Sequence, residues 1–420
     1  MGVMNIVLTT DDNYIIPTMV TISSILLSPH ANALFHIYIL CSKELDQSGK
    51  QRIADIEKKY KQVSVTFLDI NDERLNQAVT TAYIPIASYY RLYISKLISD
   101  ERCLFIDGDM IVKEDLTEVY HTDLEDCYVA GVIDMGVQYH FADYEEYAQY
   151  LEIPDMHTYV NAGFMIFNLN KIREDELDKK MIEAIDAGYK YMDQDIINKL
   201  CYGKIKILPL RYDFFTEYYG GLSMQKLSDY SLEELDAAEH KTAVYHFVGI
   251  FKPWVCTRMT VNQIWWDVAK KTLESKVYED IWQRAEEFEK TSDWEYIARA
   301  AENRKQIVVF GCSGTGQWVA RGLCAGRDIV FADNDARWIG KEVEGFRVLS
   351  AKEVCSKYPL ALYIISSQNG FRQIEIQLAE LGISNNNIIR YIHKDETYYR
   401  RLDERFVEHE KRQMRMWEQQ

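Results

Sequence analysis

The chain has 420 residues and carries 48 basic against 65 acidic side chains, which gives a formal net charge of −17 at pH 7. So acidic a protein repels nucleic-acid backbones, and general binding of DNA or RNA is disfavoured. Hydrophobic residues make up 47% of the sequence, which is enough for packed cores and excludes disorder as the dominant state. The length is that of two or three domains.

The cysteines and the N-terminus indicate the compartment. The eight cysteines are scattered and include no C-x-x-C pair, which favours free thiols in a reducing compartment over a zinc site or a disulfide framework. No basic segment precedes the first apolar run, and no apolar run approaches the roughly 20 residues of a membrane span. We therefore expect a cytoplasmic protein with no signal peptide or transmembrane segment. The charged C-terminal segment makes at most a peripheral contact with anionic lipid.

The N-terminal part alternates strand-like and helix-like segments. An unbroken apolar or β-branched run predicts each strand, and helical spacing of apolar residues predicts each helix. The resulting βαβα order indicates a mostly parallel sheet with helices on both faces, whose ligands bind at the carboxyl ends of the strands. The predicted elements are strands over 5–10, 35–41 and 63–68 and helices over 17–27 and 45–60.

Two aspartates follow a further apolar strand, Cys103–Ile106. Asp107 and Asp109 flank Gly108, and an extended chain places carboxylates at i and i+2 on the same side. Such oxygen ligands suit Mg²⁺ or Mn²⁺, and a cation there would stabilise a departing diphosphate. The alternative is a solvated turn between two strands, which two carboxylates after a buried strand make less favourable.

The C-terminal part restarts the alternation of strands and helices. Strands are predicted over 306–310, 329–332 and 362–365, and they indicate a second, smaller α/β domain. The expected organisation is a first domain over 1–262, a helical connector over 263–303, a Rossmann-like domain over 304–392 and a charged helical tail over 393–420.

A glycine-rich turn follows the first strand of this second domain. Gly311, Gly314 and Gly316 precede a helix, and Asp333 ends the next strand, as in a dinucleotide-binding turn. The spacing is G-x-x-G-x-G rather than the G-x-G-x-x-G fingerprint. The glycines alternatively serve only a tight strand-to-helix connection, so the ligand of this domain stays open.

Six segments of the N-terminal part together carry a resemblance to a known family. In order, they are Asp11–Tyr14, Ser88–Leu92, Leu104–Asp109, Tyr159–Phe164, Asp193–Ile196 and His246–Trp254. They resemble segments of glycosyltransferase family 8, the retaining enzymes related to bacterial lipopolysaccharide galactosyl- and glucosyltransferases. The resemblance covers roughly residues 4 to 256 and implies a nucleotide-sugar-binding domain of the GT-A type with a mostly parallel mixed sheet.

The resemblance also implies roles for individual residues. The metal ligands would be Asp107, Asp109 and His246, and the nitrogen ligand favours Mn²⁺, with Mg²⁺ as the alternative. The nucleotide would be bound by Thr10, Asp11, Asn13, Tyr14, Asp107, Gly108, Gly249 and Lys252. The donor sugar would be lined by Arg91, Asp134, Asn161, Ala162, Asp193 and Gln194.

Each of these residues also has a purely structural interpretation. Asp12 or Asn13 would cap a helix, Arg91 would form an ion pair on a helix, and residues 161–163 would form a turn. A lone histidine is more often an ordinary core or surface residue, and a lone lysine is usually solvated. Residues 139–164 contain seven tyrosines and phenylalanines, for which two interpretations stay open: stacking on sugar rings or a packed aromatic cluster. They are Tyr139, Phe141, Tyr144, Tyr147, Tyr150, Tyr159 and Phe164.

Gln194 and Asp193 are the candidate catalytic residues. Gln194 matches the family position beside the anomeric carbon, but glutamine is a poor nucleophile. Attack on the face that UDP leaves and double displacement through Asp193 therefore both stay open. The resemblance predicts a retaining, UDP-sugar-dependent hexosyltransferase that moves galactose or glucose to a saccharide or glycan acceptor in polysaccharide biosynthesis. The alternatives are a sugar-nucleotide oxidoreductase that uses the C-terminal domain, and a non-catalytic protein that binds a nucleotide sugar.

Overall fold

The computed structural model describes most of the chain. The described residues are 2–30, 33–76, 78, 85–140, 144–216, 230–249, 252–255, 257, 260–367 and 371–391, without the side chains of 138–140, 144–146, 232 and 372. The predicted tail over 393–420, Phe141, and the side chains of Tyr139 and Tyr144 lie outside them. The described residues divide into two compact units, one within Met1–Val248 and Met259–Tyr278 and the other within Gly249–Arg258 and 279–391.

The first unit is built on two sheets. Its strands are β1 (Val3–Thr9), β2 (Leu34–Ser42), β3 (Val63–Ile70), β4 (Arg102–Ile106), β5 (Met110–Val112), β6 (Val129–Ile133), β7 (Val160–Asn168), β8 (Ile205–Ile207), β9 (Phe214–Phe215) and β10 (Val244–His246). Seven of them form one sheet in the order β3-β2-β1-β4-β7-β6-β8, and β5-β10-β9 form a second sheet. In the larger sheet β7 is antiparallel to β4 and β6 and every other pair is parallel. The predicted mostly parallel mixed sheet is thereby confirmed.

Helices cover the sheets of the first unit. They are α1 (Ile15–Leu27), α2 (Gln47–Ala54), α3 (Ile56–Lys59), α4 (Ile94–Leu97), α5 (Thr117–Tyr120), α6 (Met135–His140), α7 (Tyr144–Leu151), α8 (Leu169–Glu174), α9 (Leu177–Glu183), α10 (Met192–Leu200), α11 (Leu232–His240) and α12 (Gln263–Thr272), and a 3₁₀ helix spans Ile86–Tyr93. Within the described ranges, none of the helices of either unit combines the length and apolar composition of a membrane span.

The second unit contains one sheet of its own. Its elements are α13 (Ser275–Thr291, which begins in the first unit), α14 (Trp294–Ala301), β11 (Gln306–Phe310), α15 (Gly314–Leu323), β12 (Asp328–Ala332), β13 (Glu342–Val343), β14 (Phe346–Leu349), α16 (Ala351–Lys357), β15 (Leu362–Ile365), α17 (Phe371–Glu380) and β16 (Ile388–Arg390). The strand order is β13-β14-β12-β11-β15-β16, and only the β13–β14 pair is antiparallel among the described strands. The five parallel strands follow the Rossmann order, in which the third, second and first strands are followed by the fourth and fifth.

Packing explains two of the three glycines in the turn after β11. Gly311 has φ 108, a conformation that favours glycine, and a Cβ on Gly316 would lie 1.9 Å from the carbonyl oxygen of Gly311. A Cβ on Gly314 would meet nothing within 4 Å. The Asp333 carboxylate accepts the backbone N–H groups of Cys312 and Asp335, each at 2.9 Å. Both oxygens of Asp333 therefore stabilise turns of the domain itself.

Candidate active site

The pairing of β5 with β10 brings a histidine to the aspartate pair. The two strands are antiparallel, and His246 lies opposite Met110. The backbone N–H of Phe247 donates to the carbonyl oxygen of Asp109 at 3.0 Å. As a result Asp107, Asp109 and His246 offer ligand atoms that all lie within 4.8 Å of one another.

The backbone between the aspartates is not extended as predicted, because Gly108 and Asp109 lie in a turn, although the two carboxylates converge. β4 ends at Ile106 and β5 begins at Met110 in the other sheet. The hydroxyl of Thr21 on α1 lies 2.9 Å from the carbonyl oxygen of Gly108 and 2.8 Å from that of Met110. This contact holds the turn between the two strands.

Two carboxylates flank the His246 ring. Its Nε2 lies 3.3 Å from Asp109 Oδ1, and its Nδ1 lies 2.8 Å from Asp213 Oδ1. Burial lowers the pKa of His246, but the charges of Asp213 and Asp109 outweigh it and raise the pKa to about 10. Burial also raises the pKa of Asp213 to about 6, although His246 acts to lower it.

The side chains present fit a divalent cation. Two carboxylates and one imidazole are the donors that Mn²⁺ and related cations accept. His246 turns Nε2 toward Asp109 and bonds its other nitrogen to a carboxylate, an arrangement typical of metal-binding histidines. Phe215 packs edge-on against the ring at 5.2 Å between centroids. The geometry therefore supports Asp107, Asp109 and His246 as a ligand set.

Gln194 on α10 is the centre of a hydrogen-bond network. Its Oε1 accepts the N–H of Ala162 at 3.0 Å, and its Nε2 donates to Asp134 Oδ2 at 2.9 Å and to the Tyr159 hydroxyl at 3.3 Å. Asn161 Nδ2 donates to the same oxygen of Asp134 at 2.9 Å. The structure thus brings together four of the residues that the resemblance assigns to the donor sugar.

Arg91 connects this region to the aspartate pair. Its Nη2 donates to Asp107 Oδ1 at 3.0 Å, and its Nε lies 2.9 Å from Asp193 Oδ2. The guanidinium carbon lies 4.3 Å from the ring centroid of Phe105. Burial raises the pKa of Asp193 to about 6, although the charge of Arg91 acts to lower it. The ion-pair interpretation of Arg91 therefore describes what the side chain does in this structure.

The nucleotide-binding candidates after β1 form a closed turn. Asp11 Oδ1 accepts the backbone N–H groups of Asn13 at 2.9 Å and Tyr14 at 3.0 Å. Thr10 is buried and its hydroxyl accepts that of Thr18 at 3.1 Å. The side chain that accepts the backbone N–H groups before α1 is therefore that of Asp11. The structural alternative had assigned this capping role to Asp12 or Asn13. Burial raises the pKa of Asp11.

The last two nucleotide-binding candidates belong to the second unit. Gly249 has φ 74, which favours glycine, and the carbonyl oxygen of Lys252 accepts the N–H of Val255 at 2.9 Å. Val255 is buried in the core of that unit, and Trp254 packs against it.

Packing accounts for several of the aromatic residues. The hydroxyls of Tyr147 and Tyr159 each donate to Asp195 at 2.6 Å, and Phe164 stacks on Tyr212 at 5.9 Å between ring centroids. Tyr147 and Tyr159 belong to one buried hydrophobic cluster, Phe164 is buried against Tyr212, and Tyr150 is 50% exposed.

Sequence reasoning gave no role to two buried carboxylates. Asp195 lies within one of the quoted segments, and its contacts with two tyrosines hold the start of α10, where Gln194 lies. Asp213 lies 33 residues before His246 and outside all the segments that carry the family resemblance. Only the pairing of β9 with β10 brings Asp213 to His246, so no sequence pattern indicated it.

Comparison with known proteins identifies the family. Residues 5–257 match the model named "Glycosyl transferase family 8". A Haemophilus influenzae protein named as a glycosyltransferase is 31% identical over 216 residues, which are 50% of this chain and 63% of the relative. The lipopolysaccharide 1,2-glucosyltransferase of Escherichia coli is 29% identical over 255 residues, which are 58% of this chain and 71% of the enzyme.

A solved structure supports the fold of the first unit. The galactosyltransferase LgtC, solved with donor and acceptor sugar analogs, has a TM-score of 0.56 at 25% identity, and the match covers 67% of this chain and 100% of LgtC. The predicted GT-A-type fold, with its separate C-terminal α/β sheet, is thereby confirmed. Because the family model matches more than half of the chain, the chain belongs to glycosyltransferase family 8, whose enzymes are metal-dependent, use UDP-sugars and retain the anomeric configuration.

Proposed function

We propose that this chain is a retaining hexosyltransferase that moves glucose or galactose from a UDP-sugar to a saccharide or glycan acceptor. The observation that carries the proposal is the convergence of Asp107, Asp109 and His246, connected through Arg91 to the residues around Gln194. Two of the relatives are named as a glucosyltransferase and a galactosyltransferase, which supports a hexose.

The metal would be held by Asp107, Asp109 and His246, and the nitrogen donor favours Mn²⁺ over Mg²⁺. When bound, the cation would neutralise negative charge on the diphosphate of the departing UDP. Lys252 would add a further positive charge at the phosphates. The remaining nucleotide contacts would come from Thr10, Asp11, Asn13, Tyr14, Gly108 and Gly249.

Gln194 would lie at the reacting face of the donor sugar. Its amide is fixed by Ala162 and Asp134, so the orientation of the amide is set before the donor binds. Asp193 is 2% exposed and ion-paired with Arg91, which supports a positioning role for this carboxylate rather than attack on the sugar. We therefore favour attack by the acceptor on the face that UDP leaves.

The test is release of UDP from a panel of UDP-sugars, first with Mn²⁺ and then with an excess of chelator. The proposal expects slow, Mn²⁺-dependent hydrolysis of UDP-glucose or UDP-galactose, and the faster substrate identifies the donor. Release of UDP from none of the panel, together with no binding of UDP, would overturn the proposal.

A further inference from the structure

Asp213 is a buried acid whose position is set by the backbone. It follows a 3₁₀ turn over Leu210–Tyr212, where its N–H donates to the carbonyl oxygen of Leu210 at 3.1 Å. It directly precedes β9, which pairs with β10 so that Phe215 lies beside His246. The strand register therefore delivers the carboxylate to the side of His246 that faces away from Asp109.

His246 is the hydrogen-bond partner of this carboxylate. The side chain of Asp213 is 0% exposed, and its Oδ1 lies 2.8 Å from His246 Nδ1. Among the described residues, nothing donates a hydrogen bond to its Oδ2. A buried carboxylate with so few partners is costly, and the contact with His246 is what offsets this cost in the structure.

We infer that Asp213 is a positioning residue that fixes which ring nitrogen of His246 is presented to the metal. A carboxylate accepts and does not donate, so Nδ1 must carry a proton in the bonded ring. Nε2 is then the nitrogen left to bind a cation, and it already faces Asp109 Oδ1 at 3.3 Å. Phe215 also packs perpendicular to the His246 ring, which adds a third contact that restrains the orientation of the ring.

The inference rests on the proposed metal-dependent function, but its test does not require turnover. The full-length chain is titrated with Mn²⁺ alone, and electron paramagnetic resonance follows the loss of the signal of aqueous Mn²⁺. Asp213→Leu keeps a similar volume without an acceptor, and we expect Mn²⁺ affinity to fall by about 10- to 100-fold. Asp213→Asn keeps an acceptor for Nδ1–H but no charge, and we expect a loss of about three- to tenfold.

Tyr230→Phe is the matched control. The Tyr230 hydroxyl accepts the N–H of Ile133 at 3.1 Å and donates to the carbonyl oxygen of Leu208 at 3.0 Å. Its removal costs two buried hydrogen bonds in the same unit without removing a contact of His246, so Mn²⁺ affinity should equal that of the unaltered protein. Thermal unfolding and near-UV circular dichroism establish that each variant is folded.

Three results would overturn the inference. A folded Asp213→Leu protein that binds Mn²⁺ as tightly as the unaltered chain excludes a positioning role. If Asp213→Leu does not fold, an Asp213→Asn protein with unchanged Mn²⁺ affinity would likewise exclude a positioning role. Finally, if the unaltered chain binds no Mn²⁺, no metal requires the orientation of His246. Separate measurement of UDP release distinguishes these outcomes from failure of the proposed function, since Mn²⁺-dependent release that persists leaves the transferase assignment standing.

Discussion

Gly163 lies directly against His246, the histidine proposed as a metal ligand, and its replacement by alanine should disturb that residue. An ideal Cβ at this position would lie 2.7 Å from His246 Cε1, 2.8 Å from Met110 Cε and 2.9 Å from Asn161 Oδ1. The backbone is also engaged on both sides, because the Gly163 N–H donates to Asn161 Oδ1 at 2.7 Å and its carbonyl oxygen accepts the N–H of Asp107 at 2.8 Å. The methyl group therefore cannot be accommodated by a simple shift of β7.

The size of the disturbance follows from these contacts. Non-bonded carbons prefer a separation of at least about 3.5 Å, so His246 Cε1 and the new methyl must separate by about 0.8 Å. The methyl end of Met110 is flexible, but the His246 ring is tied to Asp213. Metal–ligand distances tolerate only about 0.2 Å. We expect Mn²⁺ affinity to fall at least about tenfold, and the free energy of unfolding to fall by about 1–3 kcal/mol from overpacking.

The assay is Mn²⁺ titration followed by electron paramagnetic resonance, with urea unfolding of the same protein. Gly131→Ala is the matched control, because a Cβ there would lie 3.1 Å from Val160 Cβ and would crowd the same sheet without meeting His246. The control should lose some stability and keep its Mn²⁺ affinity. A folded Gly163→Ala protein with unaltered Mn²⁺ affinity would refute the reasoning.

Two further predictions concern buried charge and thiol reactivity. Arg91→Met leaves Asp193 buried without its ion pair, so urea unfolding should show a loss of about 3–5 kcal/mol, and a loss below about 1 kcal/mol would contradict the ion-pair assignment. Burial raises the pKa of Cys312 to about 12, so its thiolate fraction at pH 8 is about 10⁻⁴ and grows as the pH rises toward 12. Cys324 is exposed and Cys127 is half-buried. In a Cys256→Ser, Cys127→Ser background, Cys324→Ser should remove the fast reaction with Ellman's reagent at pH 8, whereas a surviving fast phase would show that one of the buried thiols is accessible.

Sequence patterns predicted the strands well where the apolar run itself is the signal. The run Cys103–Ile106 predicted β4 to within one residue of its observed start at Arg102. Burial on both faces of a mostly parallel sheet produces such continuous apolar segments. The residues of the candidate site came from the resemblance, which placed His246 with Asp107 and Asp109 although they lie far apart in the chain.

The remaining geometry depends on contacts that no local pattern encodes. The turn at Gly108 is held by Thr21 on α1, and the approach of Asp213 to His246 depends on the pairing of β9 with β10. A strand pattern gives the period of a segment and not its partner. For the same reason Asp333 had the sequence position of a ribose-binding carboxylate, whereas both of its oxygens accept backbone N–H groups of its own domain.

The central claim is that a cation held by the aspartate pair and His246 promotes departure of UDP. The most direct measurement is UDP release from the preferred UDP-hexose by the unaltered chain and by Asp109→Ala, each with Mn²⁺, with chelator, and after Mn²⁺ is restored. Asp126→Ala is the control, since this exposed acid pairs only with Lys171 and Lys204 among the described residues. The account predicts that Mn²⁺-dependent release survives in the control and is lost in a folded Asp109→Ala protein. Near-normal release by Asp109→Ala, or release that the chelator leaves unchanged in the unaltered chain, would contradict it.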